Sequence, residues 1–95
     1  MDINEITINY EEDDILLVKE LDKEILSKGA WSTIIFRYQQ WDKKKEIYSP
    51  DRFTIRRYRK IYNEYKQQAK FNISSEDQAK KIIAALQKWI DEDEK

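Results

Sequence analysis

The apolar residues of this chain change their spacing once. Up to Ile73 they recur mostly at every second position, and from Ala79 onward they recur at helical spacing. Ala79, Ile82, Ile83, Leu86, Trp89 and Ile90 fall at i, i+3, i+4, i+7, i+10 and i+11, the stripe of an amphipathic helix. Ser74 or Ser75 supplies the N-cap: Ser74 with Asp77, or Ser75 with Gln78, makes a start like a capping box. Glu76 and Asp77 suit the positive end of the helix. Such a stripe has to pack on a sheet or on a partner, since each large apolar residue contributes roughly 1.5–3 kcal/mol when fully buried.

The segments before the helix read as strands. Ile6, Ile8 and Tyr10 alternate with Thr7 and Asn9, which predicts a short strand near residues 4–10. Glu11-Glu12-Asp13-Asp14 is read as a solvated turn, and Ile15-Leu16-Leu17-Val18 resumes as an apolar segment. Its continuation to Ser27 fits a helical turn as well as a bulged strand. Trp31–Trp41 predicts a long strand whose better core face is Ser32, Ile34, Phe36 and Tyr38. A polar connection with Lys43-Lys44-Lys45 and the sole proline, Pro50, leads to a hairpin of Arg52–Tyr62 and about Tyr65–Ile73.

The register of that hairpin decides which side chains share a face. A three-residue loop at 63–65 pairs Tyr62 with Lys66, Lys60 with Gln68, Tyr58 with Lys70 and Arg56 with Asn72. A two-residue loop pairs Lys60 with Gln67, Tyr58 with Ala69 and Arg56 with Phe71. The first register segregates polar from apolar residues better and is the expectation. It places Thr54, Arg56, Tyr58, Lys60 and Tyr62 on one exposed face, where cations and rings interleave.

Charge is segregated as well. The formal net charge is −1, yet nine acids and two bases in residues 1–27 give −7, twelve bases and four acids in 28–70 give +8, and the remainder gives −2. The basic middle produces a local positive field that the net value hides. Cationic heads beside flat rings suit a polyanion with unstacked bases, the charges meeting phosphates and the rings meeting base faces. The expected nucleic-acid contacts are Trp31, Arg37, Arg56, Tyr58, Lys60, Tyr62, Lys66, Gln68 and Lys70. Trp41 is a further stacking candidate with an equal claim to the core or a dimer interface. Trp89 belongs to the helix stripe.

Enzymatic chemistry has little to work with. The chain has no histidine and no cysteine, which removes the commonest general base, disulfides and thiolate metal sites. A single glycine cannot supply a dinucleotide-binding pattern, and Glu11–Asp14 lacks the spacing of a calcium loop. A non-enzyme without cofactor or metal is expected. No signal-peptide pattern and no long apolar run occur. The expectation is therefore a soluble intracellular protein with no membrane association, cytoplasmic or nucleoid-associated in a prokaryote.

The join Lys70-Phe71-Asn72-Ile73-Ser74-Ser75-Glu76-Asp77-Gln78 resembles the last strand end and helix cap of the single-stranded-DNA-binding transcriptional coactivators of the positive-cofactor (p15) type. The resemblance takes in Ile34–Tyr38 and covers roughly residues 28–90. Pur-alpha-like proteins are a close competitor, and the Whirly group shares the general plan. The resemblance implies a curved antiparallel sheet with a helix across one side, homodimers, and single-stranded nucleic acid held by Arg56, Tyr58, Lys60, Lys66 and Lys70. A long acidic N-terminus and a longer, more aromatic hairpin depart from that pattern.

The combined expectation is one α+β domain over residues 1–95, with an acidic region at 1–14, four or five antiparallel strands, one C-terminal helix and a frayed tail at 91–95. Its expected function is single-stranded DNA or RNA binding with a role in transcription regulation. The alternative is a protein-interaction module that uses the same Arg- and Tyr-rich face.

Overall fold

The computed structural model describes residues 1–93. It is an α+β fold, a curled antiparallel sheet followed by one C-terminal helix. The strands are β1 (Tyr10–Glu12), β2 (Ile15–Ser27), β3 (Trp31–Asp42), β4 (Ile47–Tyr48), β5 (Arg52–Ile61) and β6 (Glu64–Ile73). They run in the order β1-β2-β3-β5-β6, with β4 paired to the end of β3. The helix α1 spans Glu76–Asp93. Asp91–Asp93 therefore continue the helix rather than fraying, and the last two residues of the expected tail lie outside the described residues.

The core face of β3 is the expected one: Ser32, Ile34, Phe36 and Tyr38 are all buried. What covers it is the acidic N-terminus. Ile3 opens a short 3-10 turn, Ile3–Glu5, capped by the Asp2 carboxylate, which accepts from the Asn4 amide at 2.8 Å. The chain then runs extended, and Ile3, Ile6 and Ile8 are buried against Ile34, Phe36, Tyr38 and Tyr58. Residues 3–8 are thus a strap over the sheet, whereas the sequence predicts a strand near 4–10. Pairing begins only at Tyr10. Side chains of β2 hold the strap where strand pairing would otherwise do so. Lys23 Nζ donates to the carbonyls of Asn4, at 2.7 Å, and Ile6. Thr7 Oγ1 donates to Glu20 Oε1 at 2.8 Å, and the Glu20 amide donates to Asn9 Oδ1 at 2.7 Å.

Strand β2 explains its own ambiguous pattern. Its pairing with β3 shifts between Glu20 and Asp22 and again between Ile25 and Ser27. Each bulge absorbs one leucine, Leu21 or Leu26, and breaks the strict alternation.

The β5–β6 hairpin corrects the expected register. Its loop is two residues, Tyr62-Asn63, both in the left-handed region with φ of 49° and 67°. That geometry matches the twist of paired strands, and Asn adopts it readily. The β1–β2 hairpin uses Asp13-Asp14 in the same way, with φ of 52° and 64°. A bulge between Arg57 and Tyr58 then shifts the β5–β6 pairing. Toward α1, Arg56 faces Lys70 and Thr54 faces Asn72; toward the tip, Lys60 faces Tyr65 and Arg59 faces Lys66. The bulge thereby restores polar partners for Arg56 that a plain two-residue loop would have denied it.

Helix α1 starts as expected from the Ser75 cap, whose Oγ accepts from the Gln78 amide at 3.0 Å. Gln78 Oε1 accepts in turn from the Ser74 amide and hydroxyl. Beyond this join the helix packs sparsely, chiefly against β6, and buries none of its own residues. It does not lie across the sheet.

Candidate nucleic-acid interface

Alternation along β5 puts Arg52, Thr54, Arg56, Tyr58 and Lys60 on the same face as Ser32, Ile34, Phe36 and Tyr38. This is the strap-covered face, so the strap divides it in two. The half toward the hairpin tip is closed: Tyr58 is 6% exposed and belongs to the core, and the N-terminal ammonium donates to the Asn63 carbonyl at 3.3 Å. The half toward α1 is open and forms a groove of about 380 Å³.

Three cations line that groove: Arg52, Arg56 and Lys70. Tyr38, Asn72 and Ser74 add phenol, amide and hydroxyl groups, and no carboxylate lines it. Each arginine is positioned by neutral partners. Arg52 Nη1 donates to Gln40 Oε1 at 2.7 Å. Arg56 Nη1 donates to Gln67 Oε1 at 2.9 Å, and its Nε donates to Thr54 Oγ1 at 3.3 Å. Thr54, fully buried, donates its hydroxyl to Asn72 Oδ1 at 2.7 Å and so fixes the β6 side of the groove. Among the described residues none of the three cations forms an ion pair with a carboxylate. Two preset guanidinium forks and one ammonium without a counter-charge form a site complementary to phosphate oxygens.

The nine expected contact residues are split by this geometry. Arg56 and Lys70 meet in the groove. Tyr58 lies under the strap and cannot stack on a base; burial raises its phenol above the usual 10.0, with Arg56 opposing the rise and Glu20 adding to it. Lys60 sits on the same face at the tip, its Nζ over the Tyr65 ring 5.5 Å from the centroid. Tyr62 is in the turn and 97% exposed. Gln68 occupies the bulge and donates to the Lys66 carbonyl at 3.2 Å.

Trp31, Arg37 and Lys66 belong to the opposite face. There Arg57 and Arg59 stack on the Trp31 ring, 4.3 and 5.4 Å from its centroid. Arg37 pairs with Asp51 at 3.7 Å. Lys66 pairs with Glu64 at 2.9 Å, which holds the Glu64 carboxyl below its ordinary value through that hydrogen bond and charge. Ile35 and Ile55 flank this face half-buried, and Phe71 is exposed.

Arg52 is the groove residue that the sequence reading missed. Its signal was present, because it stands two residues before Thr54 and so shares a strand face with Arg56. Gln40, Tyr38 and Ser74 join it only through sheet pairing and the turn into α1.

Comparison with protein-family models, curated proteins and solved structures gives no match. Among the described residues no helix is long and apolar enough to cross a membrane.

Proposed function

We propose that this protein binds single-stranded DNA or RNA, with the backbone phosphates held in the groove of Arg52, Arg56 and Lys70. The observation that carries this reading is the set of three cations on one open half-face with no carboxylate beside them. A single strand is proposed over a duplex because a flexible strand can lay successive phosphates along the three cations of one short groove while its bases turn outward. A role in transcription regulation accompanies this reading through the resemblance to positive-cofactor coactivators. Titration of the protein with a labelled mixed-sequence single strand at two salt concentrations tests the proposal. Counterion release predicts steep weakening with salt, and salt-independent binding or none at all refutes it.

The active species in this proposal is a homodimer. Ile83, Leu86, Trp89 and Ile90 are each more than half exposed on α1. Most helix stability in proteins comes from packing of the amphipathic face, and α1, which buries none of its residues, lacks that cover within one copy. The same stripe on a second copy is self-complementary and always present at equal concentration. Light scattering at micromolar concentration reads the state directly, and a strictly monomeric folded species refutes it.

A second reading has one observation in its favour. On the opposite face Trp31 carries Arg57 and Arg59 beside Phe71. Trp and Arg are enriched in protein hot spots, so this face suits a protein partner. In that case Arg57→Ala and Arg59→Ala would abolish partner binding and leave oligonucleotide binding intact.

A further inference from the structure

At the far end of β3 the chain turns back through Lys43–Glu46 into β4. The Asp42 carboxylate organises this turn, accepting from the Lys44 and Lys45 amides at 2.9 and 3.1 Å. Trp41 and Tyr48 face each other across the β3–β4 pair, their rings edge to face with centroids 5.0 Å apart. Tyr48 is anchored by its hydroxyl, which donates to the Leu16 carbonyl at 2.9 Å.

Clefts open on both sides of Trp41, and charge distinguishes them. One, about 500 Å³, is rimmed by Glu12, Asp13 and Glu46 with only Lys43 against them. The other, about 490 Å³, has apolar walls of Trp41, Ile47, Tyr48 and Pro50. Its rim carries Lys43, Lys44, Lys45 and Arg52, and its one carboxylate, Asp42, is engaged by backbone amides. Arg52 and Gln40, joined by their hydrogen bond, line both this cleft and the phosphate groove. The two depressions therefore meet at one guanidinium.

We infer that the Trp41–Tyr48 cleft is a nucleotide subsite on the same bound strand. It takes one base against the Trp41 ring, with the adjoining phosphates on Arg52 and the Lys43–Lys45 turn. This rests on the proposal that the groove of Arg52, Arg56 and Lys70 binds a single strand, and it extends the path of that strand past the end of the sheet. The acidic cleft on the other side of Trp41 repels the same backbone and gives the path one direction.

The test compares tetrathymidylate with dodecathymidylate on the full chain. Trp41→Leu should weaken binding of the longer oligonucleotide about 5- to 140-fold, the equivalent of one lost base stack. Trp41→Tyr should restore most of that loss. The combined Lys43→Ala, Lys44→Ala and Lys45→Ala variant alters only exposed side chains and so keeps the fold. It should flatten the salt slope for the longer oligonucleotide by up to about 2, at about 0.7 per phosphate contact. Both losses should be smaller for the tetramer, which the groove alone accommodates. If the lysine variant and Trp41→Tyr and Trp41→Leu all bind the dodecamer like wild type while Lys70→Ala does not, the subsite is refuted and the groove stands. If Lys70→Ala also binds like wild type, or wild type binds neither oligonucleotide, the groove proposal fails and the subsite with it.

Discussion

Ile6→Ala tests the finding that the acidic N-terminus is part of the core. Ile6 is 4% exposed and packs in one cluster with Ile34, Phe36 and Tyr58. Truncation removes three carbons, worth about 2.4 kcal/mol at about 0.8 kcal/mol per buried methylene. A residual cavity adds to this, and substitutions of this kind cost about 2–5 kcal/mol. The strap lies on the outside of the sheet and can settle partway into the gap, so the lower part of that range, about 2.5–3.5 kcal/mol, is expected. A domain of this length holds roughly 5–14 kcal/mol in all, so the loss is a substantial fraction of the total. Urea unfolding followed by far-ultraviolet circular dichroism should show a lower midpoint at an unchanged slope. Thr7→Ala, on the exposed side of the strap, deletes the hydrogen bond to Glu20 and should cost only about 0.5–1.5 kcal/mol. A loss below about 0.5 kcal/mol for Ile6→Ala, the range of ordinary surface substitutions, would refute the strap as core.

Three further outcomes follow from the same geometry. The folded protein holds the Tyr58 proton more tightly than the unfolded chain does, so the stability this gives is complete below pH 10.0 and is lost as pH rises through the raised value. Tyr58→Phe should therefore flatten the fall of melting temperature above about pH 10, and an unchanged fall would refute the burial argument. Leu86→Asp should convert the proposed dimer to a monomer in light scattering while leaving the strand signal intact; a persistent dimer would place the interface elsewhere. Asn63→Val forces a β-branched residue into a left-handed position at φ 67° and should cost about 1–2 kcal/mol in urea unfolding, whereas no loss would mean the turn relaxes to another type.

How much of this was legible in the sequence depended on whether local period or tertiary cover set the answer. The alternation of Ser32, Ile34, Phe36 and Tyr38 and the stripe from Ala79 to Ile90 are local, and both elements stand where the pattern puts them. Residues 19–27 resisted because two bulges interrupt the alternation of β2. The turn at Tyr62-Asn63 carries only one residue that favours a left-handed backbone, and the compensating bulge after Arg57 has no composition signal. Arg56 and Lys70 share a face in the expected register and in the observed one, because the shorter loop and the bulge together leave the parity of that pairing unchanged. Tyr58 departs from expectation for a different reason. Nothing in β5 itself says that Ile3, Ile6 and Ile8 fold back over it, since a strap anchored by Lys23 and Glu20 leaves no strand-pairing signature. Clustering of Arg and Tyr in sequence therefore points to the face that holds the groove and not to its open half.

The groove is tested most directly through Lys70, which shares it with the two arginines and forms no ion pair among the described residues. Affinity of wild type and Lys70→Ala for one mixed-sequence single strand is measured from about 50 to about 200 mM salt, the range over which counterion release dominates. Removing one phosphate contact should flatten the logarithmic salt slope by about 0.7, so the fall in affinity across this fourfold range should shrink by a factor of about 2.6. Arg56→Ala combined with Lys70→Ala should flatten it by about 1.4. Slopes identical to wild type in both variants would contradict the account.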